Sequence, residues 1–416
     1  MVLLPPSAAR LTGSLRDIGY DFESAVADLV DNSLTANASH IGIDLHFDGI
    51  DSYVRIVDDG DGMSRAELAE AMRFGSRSSY EDGDLGRYGL GLKTASISQC
   101  RSVTVLSRRS PKRARIASLE LDLDHVALSD RWEVLEPHLS DSVQVARNFL
   151  SRRTGTVILW RKLDRLIDTD RAESGWNRRR LSLLSGRLMT HLGMVFHRFL
   201  EGSTLSGRRV LISVNGEEVA PWNPFAPGED VRSLPVTEYT SSSGGTIRLS
   251  RHILPPKHLF SSHDEFERLA GPKKWNRQQG LYVYRSDRLI QSGGWAGLRA
   301  ADEHTKLARA SLDFSTSFDE DFKIDVSKMR VMIPQALRSM MAPHINELVQ
   351  LANARYRQSS DGSPEPTQKT SGRSDVGAVG AALLVAAIEE GLVSELDRIV
   401  KRIGSADPGL VKSLGW

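Results

Sequence analysis

Apolar residues over 23–37 recur at helical spacing, with Val26, Leu29, Val30 and Leu34 on one stripe, and predict a helix there. Over 41–47 and 53–57 apolar and polar positions alternate instead, as in two strands joined by a short Asp/Gly turn. A Ser-x-x-Glu pattern, Ser64 to Glu67, opens a short helix over 64–72. A long polar, glycine-bearing stretch follows at 74–87, then a helix over 92–99 and strands at 102–107, 117–123 and 155–160. A second region opens with a long helix over 176–199. It continues with strands at 209–214, 246–250 and 280–284, and closes on a helix over 334–356. Such mixed signals read as an α/β chain. Residues 358–374 are almost wholly Ser, Gly, Pro, Thr and charged, a composition that cannot bury enough to fold. The organisation expected is therefore a first domain over 1–168, a second over 169–357, a disordered linker over 358–374 and a small helical segment over 375–416.

Composition narrows the partners. The 416 residues are 40% hydrophobic and 26% charged with a formal net charge of +1, so nothing pulls the whole chain toward nucleic acid. A polyanion site would have to be local. Two basic clusters qualify, Arg178-Arg179-Arg180 beside Trp176 and Lys273-Lys274 with Trp275 and Arg277, although both suit solvated faces or stems covering apolar surface equally well. A single cysteine, Cys100, excludes an intramolecular disulfide and argues against a cysteine-based zinc site. No run of about 18 apolar residues occurs, and residues 1–10 are broken by Pro5 and Pro6 without the layout of a signal peptide. The expected location is cytoplasmic, with no membrane contact.

Four short segments of the first region carry candidate chemistry. Asp28 and Asn32 lie four apart on the first helix and share a face. A carboxylate and an amide there can orient water and complete a magnesium shell, since Mg²⁺ takes oxygen ligands and keeps waters; a solvated helix face is the plainer alternative. Asp58-Asp59-Gly60-Asp61-Gly62-Met63 follows the strand 53–57. A carboxylate at a strand end can accept from an adenine amino group while Gly60 and Gly62 let backbone approach the ring; a plain turn is also possible, and the strand ahead of it argues against an EF-hand loop. In Gly86-Arg87-Tyr88-Gly89-Leu90-Gly91-Leu92-Lys93-Thr94, glycines lead into a helix and suggest an anion cradle. It is not a P-loop: Leu92 stands where the lysine belongs, and 75–84 is polar where a buried strand is required. Residues 74–87 read instead as a lid ending in that cradle. Last comes Gly155-Thr156 at the start of a strand, ordinarily a structural pair.

In this order, Asp28-x-x-Asp31-Asn32, Asp58-x-Gly60-x-Gly62, Gly89-x-Gly91-x-Lys93 and Gly155-Thr156 resemble the GHKL superfamily of gyrase, heat-shock chaperone, histidine kinase and MutL. The resemblance is closest to MORC-like and MutL-like members and covers about 15–165. It extends more loosely to about 356, where 284–290 and 325–328 look like a transducer domain. It implies a two-layer α/β sandwich that binds ATP with Mg²⁺ and closes as a homodimer. By the resemblance, Asn32 would hold Mg²⁺, Asp58 would read adenine with Gly60, Gly62 and Met63 beside it, and Thr156 would support that end. Gly86, Gly89, Leu90, Gly91, Leu92, Lys93 and Thr94 would line the phosphates, and Lys328 would reach the γ-phosphate. Two positions depart from the pattern. Asp28 replaces the glutamate that serves as general base, and Thr35 stands where an aspartate is usual. The shorter acid, by roughly 1.5 Å, implies slow hydrolysis, because misplacement on the order of 1 Å can cost about 100-fold in rate. A histidine kinase would need phosphoacceptor helices ahead of Asp28, and His191 and His197 fall after it, as packing or surface residues. The resemblance leaves a compact ATP-driven dimer of MORC or MutL kind that engages DNA or a partner protein, of a kind typical of bacterial genome defence or DNA transactions; the alternative is a protein-binding switch with little or no hydrolysis, in which 375–416 docks a partner while ATP sets its availability.

Overall fold

The computed structural model describes residues 6–17, 20–74, 91–110, 115–240, 245–319, 321–322 and 331–360, with 396, 398–400 and 402. Residues 1–359 form one compact unit and 360–416 a second. In the second, the few described residues are helical.

The first sheet has seven strands in the order β4-β3-β5-β2-β1-β6-β7. They are β1 (His40–His46), β2 (Tyr53–Asp58), β3 (Ser102–Arg108), β4 (Ala117–Asp122), β5 (Gly155–Arg161), β6 (Leu211–Val214) and β7 (Glu217–Glu218). All neighbours are antiparallel except β1 and β6. Eight helices accompany it: α1 (Ala8–Arg16), α2 (Phe22–Thr35), α3 (Arg65–Ala71), α4 (Gly91–Ile97), α5 (Leu123–Ser129), α6 (Asp141–Leu150), α7 (Gly175–Val195) and α8 (His197–Glu201). Alternation decides which face each strand residue joins. Ile41, Ile43, Val54, Ile56, Val103, Val105, Ile158 and Trp160 point to one face and pack there with α2, α4 and α7. Leu106, Val157 and Leu159 point the other way and are covered by Val143, Ala146 and Leu150 of α6. The centre of the sheet is thus buried on both sides, and β5 reads as a continuous apolar run from Val157 to Trp160 for that reason. Strands β6 and β7, beyond the boundary expected at 168, complete this sheet, because β6 pairs in parallel with β1.

The second sheet runs β11-β10-β12-β9-β8, with β8 (Arg232–Thr240), β9 (Thr246–Ile253), β10 (Gly280–Arg285), β11 (Arg288–Gln291) and β12 (Ala308–Phe314). Short helices α9 (His263–Ala270) and α10 (Lys274–Gln278) stand between β9 and β10, and α11 (Gln335–Ser360) follows β12. Leu249, Leu281, Val283, Ala310 and Leu312 face Leu337, Met341, Ile345 and Leu348 of α11. On the opposite face Tyr282 and Tyr284 meet Trp222 and Phe225, and Nε2 of His197 lies 2.8 Å from the Tyr284 hydroxyl. His197 is therefore a buried packing residue at the start of α8. No described helix is long and apolar enough to cross a membrane.

Candidate functional site

Helix α2 is the spine of the site. Asp21 caps it by accepting from the Ser24 N–H at 2.7 Å, and its residues from Phe22 to Asp31 are all buried. Burial all round means that the polar residues on this helix need partners inside the protein. Asp28 is 2% exposed and its Oδ2 accepts from the Tyr20 hydroxyl at 2.9 Å. Asp31, fully buried, receives Nε of Arg288 at 2.9 Å from the start of β11. Asn32, one turn after Asp28, is only half-buried, and its amide has no hydrogen-bond partner among the described residues. Thr35 is exposed.

Asp58 ends β2 and is built in from three sides. The hydroxyl of Ser33 on α2 donates to its Oδ2 at 3.0 Å, while the N–H groups of Gly60 and Thr156 donate to Oδ1 at 3.0 and 3.1 Å. Burial is the largest influence on this carboxyl and pushes it above its ordinary range, against the lowering effect of these three donors. The glycines around it are required by close approach. A Cβ on Gly155 (φ +136°) would lie 2.0 Å from the Asp58 carbonyl oxygen, and one on Gly62 (φ +64°) 2.2 Å from that of Arg108. Gly60 is pressed against Ala36, whose carbonyl a Cβ would approach to 2.5 Å. Ser107 completes the floor: its hydroxyl accepts from the Met63 N–H at 2.7 Å and lies 2.9 Å from the Thr156 hydroxyl. The structure thus gathers Asp58, Gly60, Gly62, Met63 and Thr156 at one strand end, against the helix that bears Asp28 and Asn32.

Helix α4 starts at Gly91, and a Cβ there would meet Asp28 Oδ2 at 3.8 Å, so its first turn abuts α2. Leu92 packs on the core, and Thr94 is buried. Lys93 departs from its expected place on the phosphates. It is 2% exposed, and Nζ donates to the carbonyls of Ala71 and Arg73 at 2.8 and 2.5 Å. The end of α3 leaves carbonyls without helical partners, and a buried ammonium is well used there. Burial also pushes Lys93 down to about 8. Gly86, Gly89, Leu90, the expected lid beyond Phe74 and Lys328 lie outside the described residues.

The basic clusters are partly absorbed by packing. Trp275 is buried and stacks on Phe266 at 4.5 Å, and Lys273 Nζ donates to the carbonyl and hydroxyl of Ser292 at 2.9 Å each. Around Trp176, the Arg180 guanidinium lies 5.2 Å from the indole and that of Arg178 lies 4.8 Å from Phe47. Their stems cover aromatic surface while Arg178 and Arg179 stay exposed. Sequence reasoning missed Tyr20, Ser33, Ser107 and the role of Arg288. Of these, Ser33 and Arg288 lay in stretches already singled out.

Comparison with known proteins agrees with this geometry. Residues 20–156, which span Tyr20 to Thr156, match the family described as histidine kinase-, DNA gyrase B-, and HSP90-like ATPase. The chain is 37% identical over 92 residues to the ATPase morc-1 of Caenorhabditis elegans, covering 21% of this chain and 10% of that protein. It is 33% identical over 103 residues to the DNA mismatch repair protein MutL of Beijerinckia indica subsp. indica, covering 24% of this chain and 16% of that protein. The shared segment is therefore a small part of those relatives. The family match itself spans α2, Asp58 and Gly155-Thr156, and residues 20–156 of this chain belong to the GHKL superfamily of ATPases, with a MORC and a MutL protein among the chain's relatives.

Proposed function

We propose that this chain is a slow, Mg²⁺-dependent ATPase of MORC or MutL type, whose ATP-bound dimer engages DNA or a protein partner. The observation that carries the reading is the bond from Ser33 to Asp58, 3.0 Å, which ties the strand-end carboxylate to the helix bearing Asp28 and Asn32. Three functions then meet at one place. Asp58 accepts from the adenine amino group, at a strand end where Gly60, Gly62 and Gly155 let neighbouring backbone pack closely around it. Asn32 offers the free amide oxygen that a magnesium ion needs in addition to waters and phosphate oxygens. Asp28, one turn earlier, takes the proton of the attacking water. Bound Mg²⁺ would contribute charge neutralisation at the phosphates. The phosphate side falls to Gly86, Gly89, Leu90, Gly91, Leu92 and Thr94, where Gly91 abuts Asp28.

A second reading has its own support. Asp28 is the shorter acid and its Oδ2 is held by Tyr20, which favours ATP as a latch with little turnover. In that case ATP gates a protein partner docked through 375–416. Gel filtration with ATP or a non-hydrolysable analogue, with and without DNA, beside a phosphate-release assay, separates the two. Dimers with turnover support the first reading, and dimers without turnover the second. Absence of nucleotide binding rejects both. A role in bacterial genome defence is part of the proposal and is tested by loss of protection in cells carrying Asp58→Asn.

A further inference from the structure

The hairpin joining β10 to β11 turns on Ser286 and Asp287, both at positive φ (46° and 67°). Such turns match the twist of the flanking strands but favour glycine and asparagine. Non-glycine residues held there are strained, so the surroundings must over-determine the conformation. Here the Asp287 carboxylate accepts from the Leu205 N–H at 2.9 Å and from Arg198 Nη1 at 3.1 Å. The tip is thereby clamped to the chain leaving α8. That clamp fixes where the next residue, Arg288, must point.

Arg288 reaches out of the second sheet into α2. Its side chain is 4% exposed, and Nε lies 2.9 and 2.8 Å from the two oxygens of Asp31. Nη2 of the same guanidinium stands 3.8 Å from Asp28 Oδ1. That is too long for a hydrogen bond, but inside the protein a charge at this distance still acts strongly. Asp28 is therefore held at Oδ2 by Tyr20 and faced at Oδ1 by a cation that Asp31 keeps in place. Asp31 and Asp28 lie three apart on α2, so one guanidinium serves both. The arrangement links two charges of α2 with one from the second sheet of the same compact unit, and the member nearest the proposed chemistry is Asp28.

We propose that Arg288 is a positioning residue for the hydrolytic carboxylate, so that the second sheet sets the reactivity of Asp28 through Asp31 and Arg288. The proposal rests on the reading of Asp28 as general base. Arg288 touches no substrate in it. It orients Asp28 and keeps a compensating charge beside it, while Asp31 holds the guanidinium in place. Either loss should impair the chemical step more than nucleotide binding. A purely structural ion pair would instead lower the melting temperature and leave the rate per folded molecule unchanged.

The test uses the full chain, with MgATP affinity from calorimetry, single-turnover phosphate release and a melting curve for wild type, Arg288→Gln, Arg288→Lys and Asp28→Asn. Arg288→Gln should slow release at least 10-fold while the ATP Kd stays within about threefold, and Arg288→Lys should recover part of the rate. Arg288→Gln at the wild-type rate, with Asp28→Asn impaired, overturns the inference and leaves the reading of Asp28 standing. Asp28→Asn at the wild-type rate overturns the reading and the inference with it. Should Arg288→Gln fail to fold, Asp31→Asn replaces it: slowed release with ATP affinity kept supports the proposal, and release at the wild-type rate overturns it.

Discussion

Asp58 offers the sharpest test of the pocket, provided the substitution respects its three internal donors. Asp58→Ala would leave the N–H groups of Gly60 and Thr156 and the Ser33 hydroxyl without their acceptor. Each buried group left unpaired costs about 1–3 kcal/mol, so a lost affinity could then reflect a collapsed fold. Asp58→Asn avoids this. The amide oxygen can still accept from both backbone N–H groups, and the new NH₂ can donate to the Ser33 hydroxyl. What changes is the charge and the character of the outer atom, which now donates toward an adenine amino group that also donates. Loss of a hydrogen bond to a charged group is worth about 1.5–3 kcal/mol, or roughly 10- to 150-fold in ATP Kd at about 1.4 kcal/mol per decade. Calorimetry with ATP and with adenosine should show the same loss for both, because the contact is to the base. Unchanged ATP affinity in a folded Asp58→Asn protein would refute the pocket. Stability gives an independent sign. Burial, the leading influence, raises the folded carboxyl above the unfolded value of 3.8, so the native state binds the extra proton between the two values. Wild-type stability from this group therefore falls as pH rises through that window. Asp58→Asn lacks this dependence, so denaturant melts should show the variant gaining on wild type as pH rises from below 3.8 toward neutrality.

Asn32→Ala should remove the magnesium dependence of nucleotide binding while adenosine still binds, as measured by titration with and without Mg²⁺; loss of adenosine binding in a folded variant would assign Asn32 a structural role. Asp28→Ala should abolish phosphate release with ATP affinity largely kept, and turnover equal to wild type would leave ATP as a latch. Lys93, pushed by burial from 10.5 to about 8, binds fewer protons folded than unfolded between those values, so it adds stability as pH rises from about 8 toward 10.5. Lys93→Met should flatten that rise in denaturant melts, and an unchanged slope would contradict the buried ammonium at the end of α3. Gly155→Ala, strained at φ +136° and blocked by the Asp58 carbonyl, should lose at least ~1–3 kcal/mol of stability in the same assay.

Much of the site was legible because its residues come in local groups. Asp28 and Asn32 share a face through helical spacing alone, and Ser64 with Glu67 forms the expected capping box. Apolar alternation over β1 and β2 predicted the strands that end at Asp58, within a residue or two of where they stand. Helix α6 was not anticipated, although Ser140 ahead of Val143, Ala146 and Leu150 is a readable start and stripe. Strands β6 and β7 followed no local rule that would have assigned them to the first sheet, since parallel pairing of β6 with β1 joins residues some 170 positions apart.

Local pattern, then, determined by itself which residues are chemically capable and which helix or strand carries them, because periodicity and motif spacing are properties of neighbours along the chain. Tertiary structure alone decided how those residues are employed. Lys93 sits inside a phosphate-like motif but is drawn to the open carbonyls of α3. Arg288 carries no motif of its own, yet it meets Asp31 across 257 positions. Both outcomes have the same cause. A buried charge takes the nearest partner in space, and the identity of that partner is set by how two sheets and their helices pack.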